Sequence, residues 1–311
     1  MRIRASRGGA RRLTGSARGL LLVLAAAAGV LAVLAAALVG LLPGETVEET
    51  GLPASQDEGP VHVHGLGIDP RDGALFIATH TGLFRAGARE STARRVTDRH
   101  QDTMGFTVVG PNRFLGSGHP DLREARERHL PPLLGLVESR DAGRSWTPVS
   151  LLGQADFHVL RSTARRIYGY DATHGVLHVS RDRGRTWTKY RSPAPLIDLA
   201  AHPSQSGRIV ASTPRGLFES SDDGRSWSAR GGGAGLLAWR TAARLYLVTA
   251  DGRVSTSSDA GRRWRQLGAI GGEPVALTAS GRSGLYAALH DGTIMRSGDG
   301  GLTWRTRFTA S

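Results

Sequence analysis

Beyond residue 60 the chain alternates short, mostly apolar runs with clusters of glycine, aspartate and serine, a rhythm that predicts strands joined by tight turns. The clearest unit has an inner strand over residues 196–201, a second over 208–213, a third over 217–221 and a fourth after Trp227. The same template fits 61–68, 74–79 and 83–86; then 105–109, 113–116 and 134–138; then 157–160, 166–170 and 176–179. Two further units are built around 236–239 and 275–278.

Between the third and fourth strands the pattern Ser-x-Asp-x-Gly-x-x-Trp recurs five times. Its aspartates are Asp141, Asp182, Asp222, Asp259 and Asp299, spaced 41, 40, 37 and 40 residues apart, and its tryptophans are Trp146, Trp187, Trp227, Trp264 and Trp304. That period is one four-stranded propeller blade, so the expected fold is all-β, a six-bladed β-propeller of antiparallel blades over residues 61–311. The first blade lacks the box and carries Gly87-Ala88-Arg89-Glu90-Ser91 in its place, as terminal repeats often do. The boxes read as structural: a carboxylate consumed by turn amides is a poor base or ligand. Because strands alternate in direction, all boxes share one face. The start of each inner strand and each second-to-third turn lie on the other, around the mouth of the central channel.

Ahead of the repeats, residues 1–19 carry six arginines, 20–42 are uncharged and apolar, and 43–60 are acidic with Pro and Gly. This predicts a basic cytoplasmic N-terminus, one membrane-spanning helix and a linker that holds the propeller outside the membrane. The alternative is a signal peptide whose cleavage releases a secreted domain. Cysteine is absent, which excludes a disulfide framework, a thiolate metal site and a lipidated N-terminal Cys. From residue 60 onward 34 basic residues face 22 acidic ones, almost all the bases being Arg. They form no stripe interleaved with aromatics, so nucleic acid is not an expected partner.

Histidine is concentrated, with six of eleven between residues 62 and 129. His62 and His64, one strand period apart, are expected to point to one side of the first inner strand. His80 falls in the second-to-third turn of that blade, and Asp102 and Met104 precede the second inner strand. His119 opens a long charged turn, 120–132, and Asp156 and His158 open the third inner strand. All eight map to the face opposite the boxes, on three adjacent blades. His62, His64, His80, His119 and His158 are candidate metal ligands for Zn²⁺ or Cu²⁺, the Met104 thioether favouring copper. Lone histidines such as His174, His202 and His290 are expected to be turn residues. The charged turn is expected to be a solvated excursion, with a lid or partner-binding flap as the alternative.

The five boxes resemble those of the BNR/Asp-box superfamily, which includes sialidases, other propeller glycoside hydrolases, sortilin-type receptors and photosystem assembly factors. His62-Val63-His64-Gly65-Leu66, Asp102-Thr103-Met104-Gly105-Phe106, Ser117-Gly118-His119-Pro120 and Asp156-Phe157-His158 together resemble a bacterial membrane-tethered, glycosylhydrolase-like family. The resemblance implies a glycoside hydrolase by analogy. Sialidase chemistry would need an arginine triad, a Tyr/Glu pair and an Asp acid/base, yet His-Val-His-Gly stands where the first arginine motif is usual, and glutamate is scarce. Candidate catalytic carboxylates are Asp102, Asp156 and Glu273, with Asp198 a further one. The expected function is therefore an envelope binding or assembly module whose His-rich face takes a metal or polar ligand, with a glycan or envelope protein as partner. The alternative is a glycoside hydrolase, metal-assisted or otherwise.

Overall fold

The protein is described by a computed structural model over residues 59–281 and 284–309. The expected N-terminus and membrane span, and the linker up to residue 58, lie outside the described residues. Among the described residues no helix is long and apolar enough to cross a membrane.

Among the described residues twenty-four strands form six antiparallel sheets, each of four consecutive strands in chain order. The first blade holds β1 (Val63–Ile68), β2 (Leu75–Thr79), β3 (Gly82–Ala86) and β4 (Arg94–Arg95). The second holds β5 (Asp102–Gly110), β6 (Arg113–His119), β7 (Leu136–Ser139) and β8 (Thr147–Ser150), with helix α1 (Leu122–Arg128) between β6 and β7. The third holds β9 (Phe157–Ser162), β10 (Ile167–Asp171), β11 (Val176–Ser180) and β12 (Thr188–Arg191). The fourth holds β13 (Asp198–Ala201), β14 (Ile209–Thr213), β15 (Gly216–Ser220) and β16 (Ser228–Gly231). The fifth holds β17 (Gly235–Thr241), β18 (Arg244–Thr249), β19 (Arg253–Ser257) and β20 (Arg265–Ala269). The sixth holds β21 (Pro274–Ser280), β22 (Gly284–Leu289), β23 (Ile294–Ser297) and β24 (Arg305–Phe308).

The core is divided among the seams between blades. Phe76, Leu83, Phe106 and Phe114 fill the first seam, Leu136, Phe157, Leu160 and Ile167 the second, and Tyr168, Leu177, Leu199 and Ile209 the third. The last seam closes the ring: Val63, Leu66, Leu75 and Ile77 of the first blade pack on Ala276, Tyr286, Ala288 and Ile294 of the sixth. Among the described residues closure is thus by packing of whole blades, with no strand exchanged between the first blade and the sixth. Arg307 adds a hydrogen bond from Nη2 to the Gly87 carbonyl, 2.6 Å across that seam. Each fully buried Leu, Ile or Phe contributes about 1.5–3 kcal/mol by leaving water.

The boxes are turns with one repeated hydrogen-bond scheme. In the second of them the Ser180 hydroxyl donates to Asp182 Oδ1 at 2.8 Å and accepts from Gly184 N–H at 2.8 Å. Asp182 also accepts from the N–H and the hydroxyl of Thr186, at 2.9 and 2.6 Å. The Thr186 hydroxyl, with its N–H, holds the Asp182 carboxyl down at about 2. Asp141, Asp222 and Asp299 repeat the arrangement, and at Asp259 an Arg263 guanidinium replaces the hydroxyl. Gly184 is required twice over. Its φ is +86°, and a Cβ there would stand 2.2 Å from Leu136 Cδ2 of the preceding blade. The box tryptophans are half-buried rather than enclosed by their own blade. Trp187 packs on Phe157 and His178, yet its Nε1 donates to Ser150 Oγ of the preceding blade at 2.9 Å. In the boxless first blade Glu90 closes the turn by accepting from Gly87 N–H at 2.7 Å.

Candidate metal centre

The mouth opposite the boxes gathers side chains from the first three blades, and small irregularities in the inner strands put them there. In β1 the pairing with β2 passes from Val63 to Gly65, leaving His64 as the extra residue of a bulge. Met104 in β5 and His158 in β9 occupy the equivalent bulges of the next two blades. A bulge re-aims a side chain that a regular pleat would commit to a sheet face. His80 sits in the turn between β2 and β3. Asp102 and His119 are direct cross-strand partners at the ends of β5 and β6. Gly118, at φ +135°, lets β6 approach, since a Cβ there would lie 2.1 Å from the Asp102 carbonyl oxygen.

Six residues form a connected array. Asp102 lies at its centre, with Oδ1 3.5 Å from His64 Nε2, and Oδ2 3.0 Å from His80 Nδ1 and 3.2 Å from His119 Nδ1. On the far side of His119, its Nε2 lies 3.9 Å from Asp156 Oδ2, which is 2.8 Å from His158 Nε2. Both carboxylates are buried, His64, His119 and His158 are half-buried, and His80 is exposed. The ligand atoms of His64, His80 and Asp102 all lie within 4.8 Å of one another. His64 Nε2 and Asp102 Oδ1 are buried without a hydrogen-bond partner, and so is Asp156 Oδ1.

The electrostatics differ across the array. Burial pushes the His64 imidazole down to about 4, against the pull of Asp102, so it is a neutral base at physiological pH. The hydrogen bond to Asp102 raises His119, outweighing its burial. Two imidazoles and one carboxylate are a donor set for zinc or copper.

Not every expected residue joins. His62 is corrected: it precedes β1 in a bend with φ +51° and is exposed, so the strand period that would align it with His64 does not reach it. Asp102 and Met104 lie within β5 rather than ahead of it, and the Met104 side chain enters no hydrogen bond with the array. Glu273 is exposed just before β21, outside the hydrogen bonds and ion pairs of the array. Asp198 is structural, accepting from Arg161 Nη2 at 2.5 Å and from the N–H groups of Leu199 and Leu237. His202 is a turn residue, its Nδ1 accepting from the N–H groups of Ser204 and Gln205. His174 likewise closes a turn by pairing with the buried Asp171 at 2.8 Å.

The charged turn after His119, expected as a solvated excursion, contains α1. Asp121 caps it by accepting from the N–H groups of Arg123 and Glu124, and ion pairs Arg99–Glu124 and Arg123–Asp98 hold it to the segment before β5. The signal was present in Asp121 followed three residues later by Glu124.

No family model matches the chain. A stretch of 113 residues is 30% identical to the dispase autolysis-inducing protein of Streptomyces mobaraensis, spanning 36% of this chain and 29% of that one. The chain thus matches less than a third of that relative's length. Among solved structures, an ancestral GH74 enzyme is similar at a TM-score of 0.53 and 13% identity, over 78% of this chain and 37% of the enzyme. A chain of a nidogen/laminin complex gives 0.53 and 15%, over 72% and 88%. YCF48 from Cyanidioschyzon merolae gives 0.50 and 11%, over 80% and 85%. At these identities the likeness is one of fold, and the chain takes its place among six-bladed β-propellers.

Proposed function

We propose that the chain is a binding module of the cell envelope, a propeller of the BNR/Asp-box type that takes a divalent transition metal, or a polar ligand through it, at its His-rich mouth. The observation that carries the reading is the pair of buried atoms that lack a hydrogen bond, His64 Nε2 and Asp102 Oδ1, 3.5 Å apart with His80 Nδ1 beside the same carboxylate. Buried polar atoms are rarely left without partners, and a cation satisfies both at once. His64, His80 and Asp102 would hold the ion, which when bound supplies a Lewis-acidic open position for a polar ligand. The five boxes, with their shared turn chemistry, support the superfamily assignment. The uncharged segment 20–42 behind a basic N-terminus supports anchoring in the cell membrane with the propeller outside. Glycans and envelope proteins are the partners such a mouth would meet. The partial relative's name records an effect on another protein, which accords with a binding role.

The test is titration of the purified, untagged full chain, freed of metal, with Zn²⁺ and with Cu²⁺. Replacing His64 by Gln and Asp102 by Asn together is expected to weaken uptake by roughly 100-fold or more, beyond what loss of an outer-shell partner costs. Unchanged affinity in that variant would remove the metal reading.

A second reading, a glycoside hydrolase, draws on the buried carboxylates Asp102 and Asp156, which face one another across His119 at one mouth. Turnover on a glycan panel that disappears in Asp102→Asn and Asp156→Asn would favour it.

A further inference from the structure

On the box face, the box residue three places after the serine meets the second strand of the preceding blade, and in three seams the two sides match in polarity. Ala142 packs in one cluster with Phe76, and Ala260 in one cluster with Val210. In the seam of the third and fourth blades the box residue is Asp223 and the strand residue is Tyr168. The buried Asp223 carboxylate accepts from the Tyr168 hydroxyl at 2.9 Å, from Arg166 Nε at 3.1 Å and from Arg181 Nη2 at 2.6 Å.

The seam of the fifth and sixth blades keeps one side of this arrangement and lacks the other. By strand register Tyr246 stands opposite Thr256 as Tyr168 stands opposite Val179, and each of those partners directly precedes a box serine. Arg244 comes two residues before Tyr246, as Arg166 comes two before Tyr168. The box residue here is Gly300, with φ +75° against +66° at Asp223, so the backbone turns alike without the carboxylate. Tyr246 is 1% exposed and its hydroxyl is buried without a partner. Arg244 is exposed, and among the described residues it enters no hydrogen bond or ion pair. A Cβ on Gly300 would stand 3.3 Å from Tyr246 Oη and 3.4 Å from Arg244 Nη1, with nothing but its chain neighbours otherwise within 4 Å. Two donors thus flank a notch that lacks its acceptor, and a buried hydroxyl left so carries a cost that a ligand oxygen relieves.

We infer that Arg244 and Tyr246 form a receptor at this seam for a small carboxylate supplied from outside the chain. What Asp223 supplies two blades earlier is a single CH₂–COO⁻ group, so the matching ligand is a monocarboxylate of the size of acetate. Its charge is met by the Arg244 guanidinium and its oxygen by the Tyr246 hydroxyl, the pairing that holds Asp223. Ser258 stands in the place of Arg181, which leaves one guanidinium, so the affinity is weak, about millimolar. The receptor lies on the face opposite the His-rich mouth and does not depend on the metal reading.

The experiment is denaturant unfolding of the full chain in sodium acetate and in sodium chloride at equal ionic strength, for the parent, Tyr246→Phe, Gly300→Asn and Gly300→Asp. By mass action about 0.1 M acetate should lower the parent's unfolding equilibrium constant roughly tenfold relative to chloride. Tyr246→Phe lacks the donor and Gly300→Asp carries its own carboxylate, so neither should gain. In chloride, Gly300→Asp should unfold with a constant about fivefold or more below that of Gly300→Asn, which matches it in shape but brings no charge. Adding Tyr246→Phe to both should close most of that gap. Equal acetate effects in all four proteins would mean an adventitious ion only and overturn the receptor. So would equal stabilities of Gly300→Asp and Gly300→Asn. A gap between those two with no acetate effect in the parent would confine the notch to a tethered carboxylate and overturn the outside ligand.

Discussion

Removing the acid-sensitive imidazole at the centre of the mouth should make the propeller more resistant to acid. Burial lowers His64 from 6.5 to about 4, so below pH 6.5 the unfolded chain takes up a proton that the folded chain refuses. The stability lost this way is nil above pH 7, grows as pH falls from 6.5, and levels off below 4. At about 1.4 kcal/mol per tenfold change in proton affinity, the full loss is roughly 3 kcal/mol. Glutamine keeps a polar head of similar reach and has nothing to titrate. In chelator-treated protein, denaturant unfolding of the parent and of His64→Gln at pH 7.5, 6, 5 and 4 should give curves that converge with acid. The parent's stability should fall relative to the variant by about 3 kcal/mol across the series. His178, also lowered to about 4 by burial, titrates alike in both proteins and cancels. His119 has the opposite sign: its raised affinity stabilises the fold below 6.5 and that contribution fades as pH rises through its folded value, again in both proteins. Parallel curves would refute the claim that the fold holds His64 as a neutral base.

Three further outcomes follow from the fold and the chain's N-terminus. Gly184→Ala should cost about 2–4 kcal/mol, from the strained φ and the clash with Leu136, whereas Gly175→Ala should cost only about 1–2 kcal/mol. Gly175 has φ +65° but nothing within 4 Å of a new Cβ, so equal losses in the two denaturation midpoints would refute the seam-locking role of the boxes. Asp198→Ala strands the Arg161 guanidinium and should destabilise the propeller by about 3–5 kcal/mol, while its metal uptake per folded molecule stays that of the parent. Deleting residues 1–42 should move the protein from the membrane fraction to the soluble one on fractionation; retention in the membrane would refute the anchor.

Much of the architecture could be read from the residues because each box turn is local chemistry: Ser180, Asp182, Gly184 and Thr186 satisfy one another within seven positions. The face assignment followed from strand alternation, and it correctly brought His64, His80, Asp102, His119, Asp156 and His158 to one mouth. What escaped depends on backbone detail. The left-handed bend at His62 takes that residue out of the strand period, and the bulges at His64, Met104 and His158 cannot be told from regular strand by composition. Ring closure was illegible for a different reason. Whether the terminal blades exchange a strand depends on where the first strand begins, and that is decided by packing of Val63 and Leu66 on Ala276 and Tyr286, more than two hundred residues away.

The most direct measurement is anomalous diffraction from crystals of the protein grown with Zn²⁺ or Cu²⁺, recorded at the metal's absorption edge. The account predicts a peak bonded to His64 Nε2, His80 Nδ1 and an Asp102 carboxylate oxygen at about 2.0–2.2 Å. A mouth without a peak, with His64 Nε2 and Asp102 Oδ1 bridged by ordered water, would contradict it and leave the histidines as hydrogen-bonding residues of the channel.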